Sequence, residues 1–186
     1  LGAHASGLQA HLEGDRDRVV RFTKRFERIG RPPRRELVWL GTVAERGVAY
    51  FQPRLPTLAN SVTMTLASRG AGPTATGDPV LIEWALEAIV KNAVDALSGR
   101  GGRIDVEVEG SDAIGRLLVR DDGPGVATRL QTQLFEPGVS SKAGGWGIGL
   151  TLARRIVEQQ HGGRVFFHPG EQGRGSVFVL EFPLTS

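Results

Sequence analysis

Apolar positions change period several times along the chain, and each change predicts an element. Leu8, Leu12, Val19, Phe22, Phe26 and Ile29 recur at near-helical spacing, which predicts an N-terminal helix over about 8–29. Gly14 and the charges around it weaken its first turns. Gly30-Arg31-Pro32-Pro33 stops the helix, because proline supplies no N–H and disfavours helix at the residue before it. Residues 36–51 read as a short strand leading into a helix, and 61–66 alternate polar and apolar as a half-buried strand does.

After the Gly70-Ala71-Gly72-Pro73 loop, Asp78-Pro79 predicts a strong helix start, with aspartate as N-cap and proline in the first helical position. Leu81, Ile82, Ala85, Leu86, Ile89, Ala93 and Leu97 form the apolar stripe of that helix, and the glycines of 99–102 end it. Residues 103–109 and 116–121 read as a hairpin turning around Gly110-Ser111-Asp112. A further helix is expected over about 149–160, stopped by Gly162-Gly163, followed by strands at 165–167 and 177–182 joined by a loop over 169–175. Strands and helices that do not alternate regularly predict an α+β fold. The expected form is a two-layer α/β sandwich, a mixed sheet with about three helices on one face, preceded by the N-terminal helix. There is no internal repeat.

Composition narrows this picture. At 186 residues, 40% hydrophobic and 23% charged, the chain fits one main domain over 34–186 with an appendage over 1–33. No apolar run reaches the length that crosses a bilayer. The chain begins at Leu1 with no signal segment, so it is expected to be a cytoplasmic piece of something longer, touching a membrane only if upstream segments supply the contact. The absence of cysteine excludes disulfides and thiolate metal sites, and the four histidines lack metal-ligand spacing. The net charge is +3, and the basic residues of 16–35 are interleaved with Asp15, Asp17, Glu27 and Glu36. That is a solvated helix face, so no nucleic-acid partner is expected.

Three places carry candidate chemistry. Gly144-Gly145-Trp146-Gly147-Ile148-Gly149-Leu150 runs into a helix-forming segment, and such a loop suits a phosphate at a helix N-terminus, although glycine loops before helices are also ordinary turns. No Lys-Ser/Thr pair follows the last glycine and no strand leads directly into it, so it is neither a Walker loop nor a dinucleotide fingerprint. Asn92 lies inside a helix where asparagine is a mediocre helix former, on one face with positions 88 and 95, and Lys91 and Asp95 flank it. By itself Asn92 reads as a surface residue. Asp121-Asp122-Gly123-Pro124-Gly125-Val126 places a carboxylate at a strand end beside a tight turn, where it can accept a hydrogen bond from an exocyclic amine or serve simply as a hairpin turn.

Taken in order, these motifs resemble the GHKL ATP-binding superfamily, and most closely the catalytic domain of bacterial sensor histidine kinases of the nitrogen-regulation type. The likeness runs over about 36–184, roughly four-fifths of the chain. Residues 86–97 look like the family's N box, 121–125 its G1 box, Phe135-Glu136-Pro137 its F box, 145–150 its G2 box, and Gly173-Arg174-Gly175-Ser176 its last glycine box. The resemblance implies ATP and Mg²⁺ as ligands. Asp121 would bind the adenine amine, with Gly123, Gly125 and Val126 beside the ring. Asn92 would hold Mg²⁺, a hard ion served by a hard amide oxygen, Lys91 would meet phosphate as a point charge, and Asp95 would border the nucleotide. Phe135, Ser141, Lys142, Gly145, Gly147, Ile148, Gly149, Leu150 and Ser176 complete the implied nucleotide site, with a lid expected over 138–144.

Departures from the family pattern shape the functional expectation. The family usually has a second asparagine four residues before Asn92, and its hydrolysing members carry a glutamate there, whereas this chain has Ala88. Glu87, the remaining candidate for a catalytic carboxylate, projects about 100° away from that position on a helix. Phosphotransfer to a presented histidine is therefore expected over free hydrolysis. His4-Ala5 and His11-Leu12 do not match an acceptor motif, so the acceptor histidine is expected outside the chain, with 1–33 as the end of a dimerisation hairpin and its linker. His161-Gly162-Gly163 matches a family position after the G2 helix with a structural role. The implied partners are a response-regulator receiver domain and a second copy through the hairpin. The alternatives are a non-catalytic nucleotide-sensing module, or another ATPase or serine kinase of the superfamily.

Overall fold

The computed structural model describes residues 27–55, 61–68, 70–139 and 147–184. The chain divides into two compact units, Leu1–Pro33 and Arg34–Ser186. Within the first, residues 27–29 are helical, Ile29 is buried, and the Arg31 N–H donates to the Arg28 carbonyl at 3.3 Å where the helix stops before Pro32-Pro33. The rest of the expected N-terminal helix lies outside the described residues.

The second unit opens with strand β1 (Glu36–Trp39) and helix α1 (Leu40–Phe51). Strand β2 (Val62–Ala67) follows, then β3 (Thr74–Gly77) and helix α2 (Pro79–Leu97). The hairpin β4 (Gly102–Gly110) and β5 (Ile114–Asp121) comes next, then a short helix α3 (Thr128–Gln131). Helix α4 (Gly149–Arg154) continues as a π-helical turn (Arg155–Gln160), and strands β6 (Arg164–Pro169) and β7 (Ser176–Pro183) complete the unit.

A five-stranded sheet in the order β2-β4-β5-β7-β6 is mixed, since β2 pairs parallel with β4 and every other pair is antiparallel. Its register puts Ile104, Val106, Leu117, Val119, Phe178 and Leu180 on one face, all buried. The helices α1, α2 and α4 cover that face. Leu81, Ile82, Leu86, Ile89 and Leu97 of α2 are fully buried against it, each stabilising the fold by about 1.5–3 kcal/mol relative to exposure. The alternate positions carry the ion pairs Arg120 with Glu107 and Arg116 with Glu181 at 2.9 Å, interspersed with the buried Leu118 and Val179. The two-layer α/β sandwich expected from the sequence is the observed fold.

Three details depart from the expectation. Residues 74–77 form β3, paired antiparallel with β1 in a separate two-stranded sheet, because Val38 and Ala75 meet in the core there. The helix expected as one run to residue 160 widens into the π turn, which holds more residues per turn than an α-helix. The four-residue α3 carries no apolar stripe and gave no periodic signal.

Candidate functional site

Helix α2 exists because Asp78 caps it. The Asp78 Oδ1 accepts from the backbone N–H groups of Val80 and Leu81 at 3.2 and 3.4 Å, and Pro79 occupies the first turn, where no N–H is required. Because its buried stripe faces the sheet, the flank formed by Ala88, Asn92, Asp95 and Ala96 stays half-buried along one edge. Lys91 is exposed, and its Nζ bridges both oxygens of Asp95, at 2.9 and 3.0 Å. The pair draws the ammonium toward the Asn92 edge. Glu87 is not brought there, since five residues of helix set it about 140° around the axis from Asn92.

The other wall is the end of β5. Asp121 is buried and lies directly opposite Ser176 in the β5–β7 ladder, so the two side chains share the helix-covered face within about 5 Å at Cβ. The Asp121 Oδ1 accepts from the Gly123 N–H at 2.9 Å, which fixes the carboxylate as the chain turns. The Gly123 carbonyl accepts from the Gly175 N–H at 2.8 Å, and a Cβ on Gly175 would overlap the Asp121 carbonyl. The turn after β5 and the glycine loop before β7 are therefore one packed structure, with Gly125 at φ +74 inside it. A Cβ on Gly123 would lie 3.5 Å from that of Ala96. Ala96 is one helical turn beyond Asn92, so the α2 flank that carries Asn92 runs past the turn that follows Asp121.

Asp122, the neighbouring carboxylate, is used structurally: its Oδ1 accepts from the Arg103 N–H at 2.7 Å. Val126 is half-buried, and its carbonyl accepts from the Gln131 side chain at 2.9 Å. Phe135 stands edge-on to the core ring of Phe178 at 6.2 Å. Its carbonyl accepts from the Thr151 hydroxyl at 3.1 Å, so the F box is tied to the first turns of α4. Arg154 reinforces that tie through Glu136 at 3.3 Å, and the nearer Glu158 at 2.9 Å helps to hold its guanidinium protonated. Beside it, Phe135, Pro137, Thr151, Arg155 and Gln159 line an open cleft of about 290 Å³.

Gly147 sits at φ +61, where a Cβ would press on the Gly138–Val139 backbone at 2.7 Å. Only glycine allows these two stretches to touch. Ile148 and Leu150 are half-buried, whereas Gly149, at the start of α4, faces open space with nothing within 4 Å of an added Cβ. No side chain caps α4. Ser141, Lys142 and Gly145, with Trp146 and most of the expected lid, lie outside the described residues.

His161 is the functional candidate that sequence reasoning left with a structural role. It is buried, its Nδ1–H donates to the Ile156 carbonyl at 2.7 Å, and its Nε2 accepts from the Asp78 N–H at 3.0 Å. Burial lowers its pKa below the usual histidine value and Arg35 adds to the effect, against the Ile156 bond and Asp78, which favour the charged form. Only its place just after a helix and before Gly162-Gly163 hinted at this.

The Asn92 amide oxygen on the half-buried flank of α2 is a hard donor of the kind magnesium takes, and the uncapped start of α4 stands in open space. Magnesium keeps several waters and substrate oxygens, so a single protein ligand suffices. No helix among the described residues is long and apolar enough to cross a membrane.

Comparison with known proteins gives the same fold. Residues 77–186 match the family described as histidine kinase-, DNA gyrase B-, and HSP90-like ATPase. The C4-dicarboxylate transport sensor protein DctS of Rhodobacter capsulatus is 27% identical over 99% of the chain and 31% of its own length. The sensory histidine kinase/phosphatase NtrB of Salmonella typhimurium is 36% identical over 67% of the chain and 38% of its own. The chain thus spans about a third of the curated relatives it matches. The solved catalytic domain of histidine kinase ThkA superposes with a TM-score of 0.71 at 25% identity, covering 82% of this chain and 99% of that one. The chain belongs to the histidine kinase-, DNA gyrase B-, and HSP90-like ATPase family, as a catalytic domain of the sensor histidine kinase kind.

Proposed function

We propose that this domain binds Mg·ATP in the hollow between α2, the turn after β5 and the start of α4, and passes the γ-phosphoryl to a histidine on a helical hairpin that 1–33 only ends. The observation that supports this reading is that the α2 flank bearing Asn92 passes the turn that follows Asp121, with Ser176 directly opposite Asp121 in the ladder. Asp121, oriented by the Gly123 N–H, accepts from the adenine amine, and Ser176 beside it offers a hydroxyl to the same ring. Asn92 holds Mg²⁺, whose charge neutralises the phosphate oxygens when bound. Lys91, kept at the edge of the hollow by Asp95, adds positive charge, and the backbone N–H groups at the start of α4 face the phosphates.

Ala88 leaves no carboxylate one turn before Asn92, Glu87 points elsewhere, and the Asp95 carboxylate one turn beyond is held by Lys91. This favours positioning and charge neutralisation for transfer to a presented side chain. A receiver domain as the recipient of the phosphoryl group, and a second copy joined through the hairpin, belong to the same proposal.

Two measurements test it. Calorimetry with ATP and with ADP is expected to show magnesium-dependent binding that Asn92→Ala and Asp121→Asn weaken. The chain with its natural upstream sequence restored is expected to gain an acid-labile phosphoryl group from ATP. Binding without phosphorylation would leave a nucleotide-sensing module, and no binding at all would refute both.

A further inference from the structure

Far from the hollow, three segments meet in a buried polar node. Asp78 is fully buried, and its groups face three directions. Its Oδ1 caps α2, its Oδ2 accepts from the Arg34 N–H at 3.1 Å, and its own N–H donates to the His161 Nε2 at 3.0 Å. His161 closes the node from the other side, bonded to the Ile156 carbonyl in the π turn and edge-on to Phe182 at 6.1 Å. Because the Ile156 carbonyl can only accept, Nδ1 carries the proton and Nε2 is left as the acceptor that the Asp78 N–H requires. The ring must be neutral for both bonds to exist.

The two helices that meet here also reach the nucleotide hollow. Helix α2 runs from the node toward Asn92, while α4 runs from Gly149 toward the node, and the two pack against each other. We propose that His161 is a positioning residue for the nucleotide site: through Asp78 it locks α2 and α4 at their shared anchor, and ties the chain at Arg34 to both. This inference rests on the nucleotide reading above.

Protonating His161 places an Nε2–H against the Asp78 N–H, donor against donor, and the node must open. The charged groups facing the ring are Asp78 and Arg35, of opposite sign, and burial adds to the preference for neutrality. Opening the node lets the helices shift relative to each other, and the separation of Asn92 from the start of α4 shifts with them.

The test compares the 186-residue chain with His161→Gln, whose amide offers an acceptor and a donor but does not titrate. Affinity for magnesium and a non-hydrolysable ATP analogue is measured from about pH 7.5 to 5.5, with thermal unfolding followed in the same buffers. The parent is expected to lose more affinity over that range than His161→Gln, by up to about tenfold, because ligand titration is common to both and cancels. Gly77→Ala supplies a second route, since its Cβ would overlap the His161 ring. That variant is expected to bind several-fold more weakly at pH 7.5 and to show little further loss on acidification. Parallel pH profiles for the parent and His161→Gln, or unchanged affinity in Gly77→Ala, would overturn the proposal. A parent that binds no nucleotide at pH 7.5 would overturn the nucleotide reading itself, and this inference with it.

Discussion

Asp121 does two things with one carboxylate: it steadies its own turn through the Gly123 N–H and faces the hollow beside Ser176. Losing a charged hydrogen bond costs about 1.5–3 kcal/mol, so Asp121→Asn is expected to weaken ATP binding by roughly ten- to a hundredfold, read by calorimetry. Lys91 and Asp95 behave differently. Their pair is exposed and spaced i,i+4, so Asp95→Ala should change unfolding free energy by no more than about 0.5 kcal/mol in a urea titration. For His161 the sign follows from burial: its folded pKa lies below the unfolded value, so neutral His161 stabilises fully above about pH 6.5. That contribution is lost as pH falls from there toward the lowered folded value. Urea titrations of the parent should show the loss, and His161→Gln should not. At this scale the sequence displayed Asn92, Asp121 and the glycines through their local patterns. It did not display the Lys91–Asp95 bridge, a choice of rotamer, or the bond from His161 to Asp78, which joins residues far apart in the chain.

Elements were legible where periodicity was strong. Helix α2 announced its N-cap, its stripe and its end, and strand β4 alternated cleanly. Strand β3 was not legible: four residues ending in glycine have little intrinsic preference, and only pairing with β1 makes them a strand. The π turn also escaped notice, because its extra residue leaves the apolar pattern of one helix nearly intact. Two expectations belong here. Ile89 is fully buried beneath α2, so Ile89→Ala should destabilise the domain by about 2–5 kcal/mol in equilibrium unfolding. Gly147→Ala is different, because its positive φ and the Gly138–Val139 backbone both oppose a side chain. It should part that contact and weaken nucleotide binding while the sheet core and its unfolding midpoint change little.

Across the whole domain, the sheet does the placing. Its covered face holds the apolar residues of β4, β5 and β7, and at one end that face passes from Val119 and Phe178 to Asp121 and Ser176. The proposed nucleotide hollow is thus the polar margin of the hydrophobic core, between α2 and the start of α4. The mixed two-layer architecture followed from the order of elements, and the family from five motifs in sequence. The central claim is that the hollow binds Mg·ATP, and chemical-shift mapping of the 186-residue chain with magnesium and a non-hydrolysable ATP analogue tests it most directly. Saturable shifts are predicted at the Asn92 side-chain amide, Gly123, Gly125, Ser176 and Gly149. Shifts confined to the opposite sheet face around Arg116 and Glu181, or none at all, would contradict the account.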